Sequence, residues 1–314
     1  MKITFLIFLL FIFSCSTKKT EQEPMVAVPN DISVVEESQV EIQDTELASS
    51  PSETEKKPIE QKKASIALIF GPGLNRTVGY STFLKALKKQ NVEVEMVSGT
   101  GMGAIVAAHF ASGKTPQKLE WLFFKFFNET KGKKPYSNSW KKSLEEVFLK
   151  EFKNVKVEDL KIPLVVPVYQ KNPPMVKNIN KGNLFELLQA QFIFSTKEEG
   201  PYTSPLTKEV YNGFWMRKLG AKVVVGMDVL GKKVIFEEED KFLKELYNKI
   251  LKNIRSDKGD LDIYFSLPFS EMPLDSEKKL PECLQKTAEY GEWAAKTIKI
   301  KRDAIKNDEK VDED

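Results

Sequence analysis

Histidine and cysteine are almost absent from this 314-residue chain, which has one histidine, His109, and two cysteines, Cys15 and Cys283. A zinc finger, a Cys₄ site or a two-histidine metal centre cannot be assembled from them, so no metal is expected. A disulfide-rich secreted scaffold is excluded as well. A Ser-His-Asp hydrolase would have to use His109. Charge of one sign is also lacking, with 48 Lys+Arg against 45 Asp+Glu. No Walker-type phosphate loop occurs, no internal repeat is visible, and neither a cofactor nor a nucleic-acid partner is expected. What is present is apolar: 41% hydrophobic and 11% aromatic residues suffice for a sizeable core.

The chain opens with Lys2, an apolar run from Ile3 to Phe13, and then Ser14-Cys15. This pattern describes a secretory signal peptide, and the run is shorter than the ~20 apolar residues of a membrane span. With the cysteine after Ile12-Phe13-Ser14 it resembles a bacterial lipoprotein signal, in which Cys15 becomes the acylated first residue. The expectation is a signal over 1–15 and a lipid-anchored protein of the bacterial cell envelope. Ser16 is not the aspartate that retains many such proteins at an inner membrane, so an outer membrane is favoured. An ordinary signal peptide with an incidental cysteine is the alternative.

Residues 16–64 contain no aromatic residue and are rich in Ser, Thr, Glu, Pro, Gln and Lys. Such a stretch cannot bury enough surface to offset chain entropy and reads as a disordered tether. Its 6 lysines and 11 acidic residues give it a charge of −5, whereas residues 65–314, with 41 basic and 34 acidic residues, carry +7. As a flexible coil the tether spans roughly 40 Å on average.

The remainder, 65–302, reads as one α/β domain, followed by a polar tail over 303–314. Ser65–Phe70 is a short apolar run ending at Gly71, the pattern of a buried parallel strand. Further strands are expected at Val92–Ser98, Leu164–Val168, Lys222–Asp228 and Asp262–Leu267. Helices are expected at Val78–Gln90, Met102–Ser112, Pro116–Asn128, Ser139–Phe152, Leu184–Ile193, Lys241–Ile254 and Leu284–Arg302. This alternation predicts a three-layer α/β/α sandwich around a largely parallel sheet.

The most informative stretch is Val97-Ser98-Gly99-Thr100-Gly101-Met102-Gly103-Ala104, a strand running through a G-x-G-x-G turn into a helix of small residues. That is the setting of a nucleophile elbow, in which G-x-S-x-G puts a serine on a sharp turn at a helix start. Here the central residue is Gly101, which has no side chain to attack anything.

On these residues the chain resembles the patatin-like phospholipase family. The likeness extends across most of 65–300. Ile66–Leu87 looks like the family's opening strand, glycine-rich oxyanion loop and first helix, with Arg76 at its basic position. Val94–Gly113 matches the elbow and the following helix apart from the serine. Asp159–Val168 looks like the next strand, and Gly182–Phe194 like the segment leading to the second motif. Asn212-Gly213 with Leu219–Val229 looks like that motif and its strand. The resemblance implies a patatin-like fold and a Ser–Asp dyad that hydrolyses lipid acyl esters without histidine or metal.

Carried over by position, that machinery is vacated. The nucleophile position is Gly101, flanked by the retained Gly99 and Gly103. The aspartate position is Asn212, with Phe214 replacing the small residue after Asn212-Gly213. The three oxyanion glycines fall on Pro72, Gly73 and Leu74, and Pro72 has no N–H to donate. Two further loop glycines become Thr77 and Thr82. Loss of nucleophile, base and oxyanion loop together points to a pseudo-hydrolase kept for binding a lipid or fatty acyl ligand or a protein partner, with its membrane contact through acylated Cys15. The alternative is an active lipid acyl hydrolase with displaced groups. A third reading is a scaffolding lipoprotein without ligand, which a side-chain-filled pocket beneath Gly101 would favour.

Other candidates have plainer readings. Thr100 and Ser98 flank the elbow but point away from it on such a turn. His109 lies about 12 Å along the helix from Gly101 and is expected in the core. Cys283 reads as a buried structural thiol and Asp228 as a structural strand end, and nothing near Asp260 or Asp262 looks like a site. The lysine groups at 131–134, 141–142 and 232–233 read as solvated faces, with contact to anionic lipid as the alternative. Trp121, Phe123, Phe124, Phe126 and Phe127 read as core, or in part as an acyl-pocket lining.

Overall fold

A computed structural model describes residues 66–311 apart from 196, 198, 199 and 257. The signal, the acylated cysteine and the tether expected before Ser65 lie outside the described residues. The chain runs β1 (Ile66–Phe70), a 3₁₀ turn (Leu74–Val78), α1 (Gly79–Lys89), β2 (Met96–Gly99), α2 (Met102–Ala111) and α3 (Pro116–Thr130). Then α4 (Asn138–Leu144) passes through a π-helical turn (Glu145–Leu149) and a 3₁₀ turn (Lys150–Phe152). The second half comprises β3 (Leu164–Gln170), β4 (Met175–Ile179), α5 (Leu184–Ala190), β5 (Tyr202–Thr203) and α6 (Gly213–Lys218). It closes with β6 (Val223–Asp228), α7 (Lys241–Ser256), β7 (Ile263–Ser266) and α8 (Leu280–Val311).

The strands form one sheet in the order β4-β3-β2-β1-β6-β7, with β5 also paired to β3. β3, β2, β1, β6 and β7 are parallel neighbours, while β4 and β5 run antiparallel against β3. β1 is central, with Ile66 opposite Val223 and Leu68 opposite both Val97 and Val225. A central parallel strand is covered on both faces, so all five of its residues are apolar and fully buried. The expected sandwich with a largely parallel sheet is therefore the observed architecture.

The helices follow their apolar spacing. α7 buries Leu243, Leu246, Tyr247, Ile250, Leu251 and Ile254, one stripe at helical period. α2 is buried at every position but Phe110, because it lies between the sheet and other helices, and its small residues permit that approach. α3 starts at Thr115, whose hydroxyl caps the N–H of Lys118, with Pro116 next in line.

Three boundaries depart from the sequence pattern. The strand expected over Val92–Ser98 is regular only from Met96 to Gly99, its register with β1 beginning at Met96 opposite Ala67. The helix expected over Ser139–Phe152 widens into a π turn midway. α8 runs past Arg302 to Val311, with Ile305 still packed against the core. β4, β5 and α6 have no counterpart in the expected elements: the strands are short edge pieces that gain their conformation from β3, and α6 is too short to show a period.

Connections β1-α1-β2 and β6-α7-β7 leave the middle of the sheet in opposite directions. In open α/β sheets the crevice at the carboxyl ends of such strands is where ligands bind. That edge carries Gly71–Leu74 after β1, the elbow after β2, and Val229–Gly231 after β6.

Candidate functional site

The elbow keeps its backbone form. β2 ends at Gly99, the Thr100 N–H donates to the Phe70 carbonyl at 3.0 Å, and α2 begins directly after Gly101. Gly101 has φ 56° and ψ −130°, a conformation that costs a residue with a side chain ~1–3 kcal/mol. Its neighbours are glycine for a different reason. A Cβ on Gly103 would come within 2.2 Å of the Phe70 carbonyl oxygen, and one on Gly99 within 2.5 Å of the Gly103 carbonyl. Those two glycines let α2 press onto β1 and β2, so packing demands them whatever residue stands at 101.

The space over Gly101 is filled. A Cβ there would meet Pro72 Cβ at 3.3 Å and both Leu206 methyls at 3.4 Å. The Gly101 N–H donates to Gln191 Oε1 at 3.0 Å, and Gln191 Nε2 donates to the Pro167 carbonyl at 2.8 Å. Gln191 and Leu206 are fully buried. The glutamine, just past α5, thus bridges the elbow to β3, with the leucine as a roof. No spacing in the sequence pointed to either residue.

The segment leading to Asn212 meets the elbow at Thr100, whose hydroxyl donates to the Val210 carbonyl at 3.5 Å. Only 1% exposed, Asn212 donates from Nδ2 to Asn178 Oδ1 on β4 at 2.6 Å, and its own Oδ1 is buried without a hydrogen-bond partner among the described residues. Gly213 follows because a Cβ would fall 2.2 Å from the Asp260 carbonyl oxygen. Phe214, next in line, turns outward and is 54% exposed.

The loop after β1 is held as tightly. Gly73 lies where a Cβ would strike Val229 Cγ2 at 2.1 Å. Leu74 adopts φ 45°, a left-handed conformation uncommon for a residue with a Cβ, and its side chain is buried. Arg76, fully buried, does not face a crevice. Its guanidinium donates to the carbonyls of Met272 (2.6 Å), Leu230 (2.6 Å), Lys233 (3.2 Å), Ser270 (3.3 Å) and Val229 (3.4 Å). It ties the loop after β1 to those after β6 and β7. Burial lowers its pKa to about 10, opposed chiefly by the charge of Asp228. Asp228 is itself buried, which pushes its carboxyl up, while the N–H groups of Leu230 and Gly231 and the Ser266 hydroxyl hold it from the other side. Both groups are structural.

The remaining candidates scatter. Ser98 is fully buried. His109 lies among Phe148 and Phe152 with Nδ1 3.1 Å from Glu151 Oε1, far from the elbow along α2. Cys283 is a buried free thiol on α8. Asp260 and Asp262 both pair with Arg217. Of the aromatic group on α3, Phe123, Phe126 and Phe127 are core, whereas Trp121 and Phe124 are exposed at 53% and 41%. Lys134 pairs with Asp240 and Lys233 with Glu271, as solvated faces do. Clefts of about 340 and 360 Å³ lie among the described residues, the first bordered by Thr207, Tyr211 and Asn253, the second by Leu144, Leu149 and Phe192. Neither is lined by Gly101, Pro72 or Asn212. No group of three or more potential metal ligands converges among the described residues.

Comparison with known proteins agrees with this architecture. The family model described as patatin-like phospholipase matches residues 68–311. Among solved structures, VipD from Legionella pneumophila is similar at 10% identity and a TM-score of 0.45, over 75% of this chain and 66% of that one. The type III effector protein ExoU is similar at 11% identity and a TM-score of 0.39, over 76% of this chain and 54% of that one. The chain thus spans less than two thirds of the length of either. Among curated proteins none matches this sequence.

Proposed function

Because this chain belongs to the patatin-like phospholipase family, we propose that it is a catalytically silent member, tethered to a bacterial envelope membrane through acylated Cys15 and kept as a binding platform. The observation that carries the reading is the closure of the elbow. The amide of Gly101 is engaged by Gln191, and a side chain at 101 would press on Pro72 and Leu206, its Cβ falling 3.3–3.4 Å from them. A hydrolase needs an open position where a substrate carbonyl can meet nucleophile and oxyanion donors together. Here a glycine, a proline and an asparagine stand at the three key places.

The same closure argues against an acyl chain held at the elbow. It favours binding by the outer surface, to a protein or to the bilayer itself. No helix among the described residues is long and apolar enough to cross a membrane, and the proposed anchor needs none.

The test is ester hydrolysis by the purified protein over a panel of phospholipids and p-nitrophenyl esters. Turnover should not exceed that of buffer, and a fluorophosphonate probe should label no serine in the domain. Turnover that disappears on Asn212→Ala would sink the silent-enzyme reading. Turnover that survives it would mean a hydrolase with displaced groups.

A further inference from the structure

The short helix α6 is built inside out. Of its residues only Gly213 and Met216 are buried, while Phe214 and Trp215 are 54% and 42% exposed and Leu219, just after it, is 41% exposed. Phe214 and Trp215 meet edge to face at 6.2 Å. Lys218 lies over both rings, 4.4 Å from the first and 5.4 Å from the second. Two neighbouring aromatics, an aliphatic residue and a cation form one patch on the solvent side of a helix that starts at Asn212. Aromatic rings beside lysine are the side chains that settle at a membrane–water interface, the rings at headgroup depth and the ammonium among phosphates.

Two further observations select a bilayer as the occupant. The first is charge. Residues 65–314 carry +7 and the tether −5; beside the patch, the two carboxylates of Asp260 and Asp262 are engaged by Arg217, which leaves Lys218 to face an anion. The second is reach. Only residues 16–64 separate the expected anchor at Cys15 from the domain, so an anchored domain stays near the bilayer surface, and its exposed apolar patch is the face that gains by settling there.

We propose that Phe214, Trp215 and Leu219 insert into the interface of an anionic bilayer while Lys218 engages lipid phosphate, so that the tethered domain sits on the membrane by α6. The inference rests on the tethered-platform reading for the nearness of a bilayer. It does not depend on whether the elbow is silent.

The experiment uses the full chain bound to vesicles of phosphatidylcholine with phosphatidylglycerol, some acyl chains brominated, and reads tryptophan quenching in vesicle-bound protein only. The sequence has 4 tryptophans, and the described contacts expose Trp215 and Trp121 while Trp140 is buried. Quenching should be strong in the wild type, mostly lost in Trp215→Phe, unchanged in Trp121→Phe, and weaker in Lys218→Gln or without phosphatidylglycerol. Trp215→Phe keeps an aromatic ring at an exposed position, so folding is preserved, and circular dichroism checks it. Quenching that survives Trp215→Phe, or that vanishes only with Trp121→Phe, overturns the proposal. So does vesicle-bound protein with no quenching at all, the result expected if the patch serves a protein partner. Failure of the anchor is read separately, as unchanged flotation with vesicles in Cys15→Ser, and failure of the silent-enzyme reading as ester turnover.

Discussion

Gln191 closes on Gly101: the glutamine side-chain oxygen takes the glycine N–H at 3.0 Å, and the glutamine amide nitrogen fastens to the Pro167 carbonyl at 2.8 Å. The elbow after β2 is thereby clasped to β3 from a residue beyond α5.

Replacing Gln191 with alanine leaves the buried Gly101 N–H and the Pro167 carbonyl without this partner and opens a small cavity. Each effect is destabilising, and together they should cost about 2–4 kcal/mol in urea unfolding. A loss within ~0.5 kcal/mol would show that the clasp is not structural.

Gly101→Ser should lower stability by roughly 1–3 kcal/mol, because a side chain at φ 56° is strained and its Cβ presses on Pro72 and Leu206. It should give no ester turnover. Adding Asn212→Asp puts a carboxyl at a site only 1% exposed, where burial favours the protonated form, so a trace is the most expected. Robust turnover from the single change would refute the depleted oxyanion loop.

Arg76→Met should destabilise by at least ~3 kcal/mol, although methionine fits an apolar space well. Five carbonyls in the loops after β6 and β7 lose a charged donor at once. Thermal denaturation reads this directly, and a near-neutral outcome would mean that those loops find other donors.

Stability should fall as pH drops below about 6.5, and His109 is the cause. Burial lowers its pKa beneath the usual 6.5, and the nearby Glu151 only partly opposes this. Between the folded value and 6.5 the unfolded chain binds the extra proton, so acid favours unfolding. Glu151 acts with the same sign lower down. Burial pushes its carboxyl up, but hydrogen bonds from His109 and Lys114 outweigh that and hold it at about 2, so its contribution is lost as pH falls from 4.5 towards 2. Between about pH 7 and 5 the unfolding midpoint of the wild type should fall more steeply towards acid than that of His109→Leu. Parallel slopes would remove His109 from the account.

The parallel core was legible because β1 and β6 are short apolar runs, because the stretch leading into β2 alternates apolar and polar residues, and because Gly99 and Gly103 carry a steric demand that writes itself as a motif. Gly101 and Asn212 could be singled out because each stands inside a recognisable frame, a G-x-G-x-G turn and an Asn-Gly pair before a strand. What fills the site was not. Gln191 and Leu206 reach the elbow only through tertiary packing, from segments 90 and 105 residues further along the chain, and nothing periodic marks them. Arg76 was visible as a basic residue beside a glycine-rich loop, but its role depends on carbonyls contributed by loops more than 150 residues away. The division of the α3 aromatics into core and exposed pairs likewise follows from which face meets α1 and α4, a fact of packing.

The clasp at Gln191 also couples the turn to its surroundings. The Gly101 amide is occupied by a side chain that arrives from 90 residues further along the chain, and that side chain is itself held by β3. Any group seeking the Gly101 N–H would have to displace a hydrogen bond anchored on the neighbouring strand, so the turn changes shape only together with that strand.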